Sequence, residues 1–206
     1  MRGGALQVHL RGADPRGVSG AAGEQARLDA ARAGDREALG DLWRSHNAQL
    51  LRYLRGRHAG NADDVAQQVW LDVARGLPRF AGDADQFRPW LFTIAYRRLV
   101  DEWRQPRRHR ELGMESPPER AIDDGPGDGL EWAVATIRRL PPALADAVAL
   151  RVVADLDVSE IAEILGIPPG TVRVRVHRGL VRLRELLDPT QMDVTAEPVS
   201  TMKGVS

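Results

Sequence analysis

The chain has 206 residues, with 29 Lys+Arg balanced by 29 Asp+Glu. With formal net charge at zero, bulk attraction to nucleic acid is excluded, and any such binding must rest on local patches. Cysteine is absent, which rules out disulfides, a thiol nucleophile and a cysteine metal site, and fits a reducing compartment. No apolar run approaches a membrane span, and Met1 to Gly23 lacks the compact apolar core of a signal peptide; a soluble cytoplasmic protein is expected.

In chain order, residues 1–23 recur in glycine and carry few large apolar side chains, so they are expected to be disordered. From Glu24 the pattern turns helical. A first helix ends at Gly34, and Asp35 can cap a second, with Ala38, Leu39, Leu42, Trp43, Leu50, Leu51 and Leu54 at helical spacing. Gly56 to Gly60 breaks that pattern. Asn61-Ala-Asp-Asp restarts it with acids in a first turn, and Val65, Val69 and Val73 form one apolar stripe until Leu77-Pro78. Phe80 to Arg88 reads as a loop. Pro89 opens a further helix through Trp90, Leu91, Ile94, Tyr96 and Leu99 to Trp103, with Trp90 expected in the core.

Residues 106–129 read as a flexible linker, basic at first and then rich in Pro, Gly and Asp. A second domain spans 130–187. Trp132, Thr136, Ile137 and Leu140 indicate its first helix, Pro141-Pro142 breaks it, and Ala143 to Val153 form the next. Residues 188–206 read as a loose tail. The fold class predicted is all-α: two small helical domains, the second a four-helix domain containing a helix-turn-helix.

That motif is the stretch Asp157 to Leu187. Asp157 and Glu160 have capping-box spacing, Ile161, Ile164 and Leu165 face inward, Gly166 permits the turn, and Pro169 suits a first helical position. On the last helix Val172, Val176, Leu180, Leu183 and Leu187 share one arc. Arg175, Arg178 and Arg182 flank it on one side, and Arg173, His177 and Arg184 on the other. Val174 and Val181 lie opposite the core. Charges of nearly one sign, around an exposed valine that can meet a thymine methyl, favour DNA over a plain solvated face.

Glu160-Ile-Ala-Glu-Ile-Leu-Gly with Gly170-Thr-Val-Arg-Val-Arg-Val-His-Arg-Gly resembles the fourth conserved region of bacterial RNA polymerase sigma factors of the extracytoplasmic-function (ECF) group. Ala62-Asp-Asp-Val-Ala-Gln-Gln-Val-Trp-Leu71 and Phe87-Arg-Pro-Trp-Leu-Phe-Thr-Ile-Ala95, followed by Asp101 and Arg104, resemble the second region. The resemblance divides the chain into region 2 over 24–105 and region 4 over 130–187. It departs from the family where Arg97 replaces the usual asparagine, Gln68 a frequent Glu, and Pro168 a Ser/Thr-type cap.

The resemblance implies three surfaces. Asp64, Gln67, Gln68 and Leu71, which share a face away from the valine stripe, would dock on the coiled coil of the beta-prime subunit of core RNA polymerase, whose beta subunit is a further expected partner of the chain. Tyr96, Arg97, Arg98, Trp103 and Arg104 would capture the melted minus-ten element by stacking and charge. Thr171, Arg173, Val174, Arg175, His177 and Arg178 would read the minus-thirty-five element. An anti-sigma factor is an expected partner, with any membrane contact made only through a membrane-bound one. No cofactor or metal is implied, and the five scattered histidines give no catalytic set, so no enzyme is expected. The alternative is a stand-alone helix-turn-helix activator with a helical sensor domain.

Overall fold

The computed structural model describes residues 17–57, 62–111 and 134–187; for 17–21 and 104–111 only the backbone path is described. The expectations for 1–16, the later linker 112–129, Trp132 and the tail 188–206 lie outside these residues, as does that for the Arg104 side chain. The described residues hold no strand.

The first domain contains α1 (Gly17–Arg32), α2 (Arg36–Arg57), α3 (Ala62–Gly76), a 3-10 turn (Leu77–Arg79) and α4 (Ala84–Glu111). α1 therefore begins inside the stretch 17–23 that composition had assigned to disorder. The α1–α2 junction follows the local chemistry: Gly34 takes φ +94°, and the Asp35 carboxylate accepts from Glu37 N at 2.8 Å and Ala38 N at 3.2 Å. On α3, Val65, Val69 and Val73 are fully or almost fully buried, as their spacing requires.

α4 starts five residues before Pro89, so Ala84 to Arg88 is helix rather than loop. Its N-terminus is built by Asp83 and Gln86, which cap reciprocally: Gln86 N donates to Asp83 Oδ1 at 3.0 Å, and Asp83 N donates to Gln86 Oε1 at 3.1 Å. Ala84 N donates to Gln25 Oε1 of α1 at 2.8 Å. Pro89 then lies inside the helix, where its missing N–H leaves the Asp85 carbonyl one helical donor short. The same helix runs on through Pro106 to Glu111, so the first residues of the expected linker are helical.

The second domain comprises a short helical turn at 134–137, α5 (Pro142–Val148) continuing as a π-helical stretch (Ala149–Val153), α6 (Val158–Leu165) and α7 (Pro169–Leu187). Its core is Ile137, Leu140, Ala145, Val148, Leu150, Leu156, Ile161 and Val172. α7 lies on α5 through Gly179, where a β-carbon would stand 2.4 Å from Val148 Cγ2. This corrects the predicted apolar arc: Gly179, not Leu180, fills its centre, and Leu180 at the edge is 39% exposed. A side chain cannot enter that approach without moving α7. Gly179→Val should lower stability by roughly 2 kcal/mol or more, read as a drop in Tm.

The two domains do not stand apart. Their buried residues form one continuous cluster, and α2 packs along the α5 π-helical stretch. Gln49 Nε2 of α2 donates to Val153 O at 3.0 Å, and an ion pair of 3.5 Å joins Arg88 of α4 to Asp155. Asp155 itself adopts φ +52°, a left-handed conformation that aspartate tolerates better than most residues.

Candidate nucleic-acid interface

The helix-turn-helix is α6, a turn at Gly166 and α7. Asp157 caps α6 as its spacing predicts: Glu160 N donates to Asp157 Oδ1 at 2.9 Å, while Asp157 N donates to Glu160 Oε2 at 2.7 Å. Gly166 closes the helix at φ +64°. Ile161 is fully buried, with Ile164 and Leu165 packed against the core. α7 opens without a side-chain hydroxyl at the preceding position; the Pro168 carbonyl accepts from Thr171 N at 2.9 Å and Val172 N at 3.2 Å.

The Glu160 backbone donor and the Ser159 hydroxyl hold the Asp157 carboxyl below its ordinary value. A depressed carboxylate contributes stability above its unfolded pKa, and that contribution is lost as pH falls through the folded one. Asp157→Ala should therefore cost about 1 kcal/mol at neutral pH. The difference from the parent should vanish in acid, below the usual carboxylate range, in paired thermal melts.

Away from the core, α7 presents Arg173, Val174, His177, Arg178 and Val181, all exposed. Val174 is 48% and Val181 41% exposed, as their place opposite Val172 predicts. Two unpaired apolar side chains framed by guanidinium groups offer a major groove both methyl contacts and bidentate donors. Thr171 and Arg175 are half-buried at the margins of this face. Arg182 is turned along the helix toward Glu185, at 2.9 Å.

On α3, Asp64, Gln67, Gln68 and Leu71 are all exposed and lie on the side opposite the valine stripe. Leu71 is 42% exposed, a large apolar side chain ringed by amides and acid. Besides Leu180, another apolar residue misplaced by periodicity joins the surface list: Trp43 of α2, placed by its spacing among the packed residues, is 46% exposed. One turn on, Asn47 accepts from Trp70 Nε1 of α3 at 3.0 Å, which fixes the α2–α3 register on that side.

The minus-ten candidates on α4 are less uniformly free. Arg97 is exposed and Tyr96 half-buried. Arg98 is ion-paired with Asp72 of α3. Arg97, Arg98, Asp72, Trp90, Ile94 and Asp101 line a shallow groove of about 420 Å³. Trp90 is only half-buried: it stacks on Phe80 with ring centroids 4.5 Å apart, and its edge closes on Gly76. Trp103 packs against the core on one side, while the Arg57 guanidinium lies 5.0 Å from its ring centroid.

Arg57 is the hub of the domain junction, and its motif gave no sign of this. It donates to Asp146 Oδ1 of α5 through Nε at 2.8 Å and Nη2 at 2.5 Å. Both side chains are almost wholly removed from water. Burial pushes the Asp146 carboxyl up from its ordinary value, and Arg57 and, more weakly, Arg175 pull it back. Tyr53, fully buried beside the pair, has its hydroxyl pushed well above the usual phenol range, chiefly by burial.

A helical chain with a capped helix-turn-helix, an arginine-framed reading face and a second domain bearing an exposed amide-and-leucine surface defines a DNA-binding regulator of transcription. Residues 42–109 match the family Sigma-70 region 2, and residues 130–183 match Sigma-70, region 4. The ECF RNA polymerase sigma factor SigD of Mycobacterium tuberculosis is 35% identical over 176 residues, covering 77% of this chain and 83% of that protein. The ECF RNA polymerase sigma factor ShbA of Streptomyces griseus is 32% identical over 174 residues, covering 75% and 90%. Among solved structures, CnrH in complex with the cytosolic domain of CnrY superposes with a TM-score of 0.59 at 25% identity, over 80% of this chain and 97% of that one. The sigma factor RpoE of Bartonella quintana, solved with the anti-sigma factor NepR, shares the fold at a TM-score of 0.54. The chain belongs to the ECF RNA polymerase sigma factors.

Proposed function

We propose that the protein binds core RNA polymerase through the α3 face Asp64, Gln67, Gln68 and Leu71, and directs it to promoters. α4 captures the melted minus-ten strand with Tyr96, Arg97, Trp103 and, once released from Asp72, Arg98; Arg104 extends the same helix. α7 reads the minus-thirty-five element with Thr171, Arg173, Val174, Arg175, His177 and Arg178. The observation that carries this reading is the pairing, in one chain, of an exposed reading face on α7 with an exposed leucine among amides on α3. An activator with a sensor domain needs only the first of these.

The protein works in the cytoplasm, where the polymerase is, and no helix among the described residues is long and apolar enough to cross a membrane. An anti-sigma factor is a fitting partner: RpoE was solved with the anti-sigma factor NepR, and CnrH with the cytosolic domain of CnrY. The test is equilibrium binding of fluorescently labelled protein to purified core polymerase and, separately, to promoter duplex. Tight binding to the core enzyme with weak binding to free duplex supports the reading. Tight duplex binding with none to the core enzyme favours the activator.

A further inference from the structure

Arg98 of the minus-ten set already has an anionic partner. Its Nε donates to Asp72 Oδ2 of α3 at 2.5 Å, and its Nη2 closes on the same oxygen. The other carboxylate oxygen, Oδ1, faces Arg75 Nη1 at 3.6 Å, just beyond hydrogen-bond reach. One carboxylate thus serves two arginines unequally. Arg98 is half-buried, whereas the Arg75 side chain is 73% exposed and close at hand as a second partner. The groove that these residues border is mixed in sign: Asp72 and Asp101 line it together with Arg97 and Arg98. A protein that holds single strands of any sequence uses a purely basic groove instead.

A strand phosphate can offer Arg98 two acceptor oxygens, but Asp72 already supplies a carboxylate that suits the same planar fork. Exchanging one anion for the other is close to balanced. Asp72 therefore cancels the gain from phosphate, which every strand carries, and leaves contacts to the bases to decide. Arg75 makes the exchange feasible. When Arg98 leaves, Arg75 has only to close a gap of 3.6 Å to cover the abandoned carboxylate.

From this three-residue arrangement we propose that Asp72 is a specificity-determining residue: it competes with DNA phosphates for Arg98, passes to Arg75 when Arg98 engages the strand, and so suppresses binding of single strands that lack the minus-ten element. This rests on the proposed minus-ten role of α4, to which it adds two α3 residues outside both contact sets. A tie that only held α3 on α4 would change stability, not the choice of strand.

The test is fluorescence anisotropy with the purified complex of the full chain and core polymerase. Two labelled single-stranded oligonucleotides are compared, one carrying the minus-ten element mapped from the protein's own transcripts and one with those bases scrambled. Asp72→Asn should tighten binding of the scrambled strand at least fivefold and of the element strand less than twofold. In an Arg98→Ala background the same substitution should change neither, since the competitor then has nothing to hold. Arg75→Ala should weaken binding of the element strand at least threefold, and should have no effect once Asp72→Asn is present. Its side chain is exposed, so this arm stands even if Asp72→Asn disturbs folding.

An Asp72→Asn complex that discriminates like the parent would overturn the proposal. So would tightening that persists without Arg98, which would mark a plain charge effect, or an Arg75→Ala loss that persists beside Asp72→Asn, which would place Arg75 on the strand itself. A parent complex that binds both strands equally would sink the minus-ten reading of α4 and this inference with it, whereas the other three outcomes sink this inference alone.

Discussion

Transcription from a promoter that depends on its minus-thirty-five element should fall by about a hundredfold when Arg173→Ala and Arg178→Ala are combined. Each guanidinium stands exposed on α7 beside Val174, with no carboxylate fixed against it in the described structure. A bidentate contact of such a group with a base edge is worth about 1–3 kcal/mol, so losing two removes roughly 3 kcal/mol, or two decades. Because neither side chain packs in the core, the double variant should melt with the parent and bind core polymerase unchanged. The measurement is run-off transcription on templates with and without the element, at fixed salt. Equal loss on both templates would assign the arginines to phosphates rather than bases.

The second large effect belongs to α3. Asp64→Ala, Gln67→Ala and Leu71→Ala together should weaken core-polymerase binding by about a hundredfold or more, as expected when an apolar centre and its polar rim are removed. All three residues are exposed, so folding should be unaffected. Duplex binding by α7 should also persist. Fluorescence anisotropy against core enzyme reads the first quantity and thermal denaturation the second. A triple variant that still binds core enzyme like the parent would place the docking surface elsewhere, with the exposed Trp43 the next residue to test.

What could be read from the residue order is what physics decides locally. The Asp157–Glu160 box, the left-handed Gly34 and Gly166, and the exposure of Val174 and Val181 all follow from spacings of three or four residues. The start of α4 was missed for an equally local reason. Asp83 and Gln86 form a capping box from a less common pair, and Pro89 drew the helix start to itself. Gly179 was passed over because a glycine adds nothing to an apolar count, yet its lack of a side chain is what lets α7 reach Val148. Trp43 was drawn inward by helical spacing, but spacing does not say where a neighbouring helix ends.

The domain junction was beyond such reasoning altogether. Arg57 and Asp146 are 89 positions apart, on helices whose own patterns call for nothing between them. A linker composition poor in apolar residues says that the domains are joined loosely, and is silent on whether they then pack. Within the first domain, Trp103 and Arg98, both chosen for their chemistry, are found engaged with Arg57 and Asp72, partners that helical spacing alone does not supply.

The central claim is that this chain turns core polymerase toward particular promoters. Run-off transcription with purified core enzyme on a promoter library tests it most directly. The account predicts discrete start sites that appear only when the protein and core polymerase are both present, sharing elements near minus ten and minus thirty-five. Folded protein that binds DNA but yields no such transcripts with an active core enzyme would contradict it.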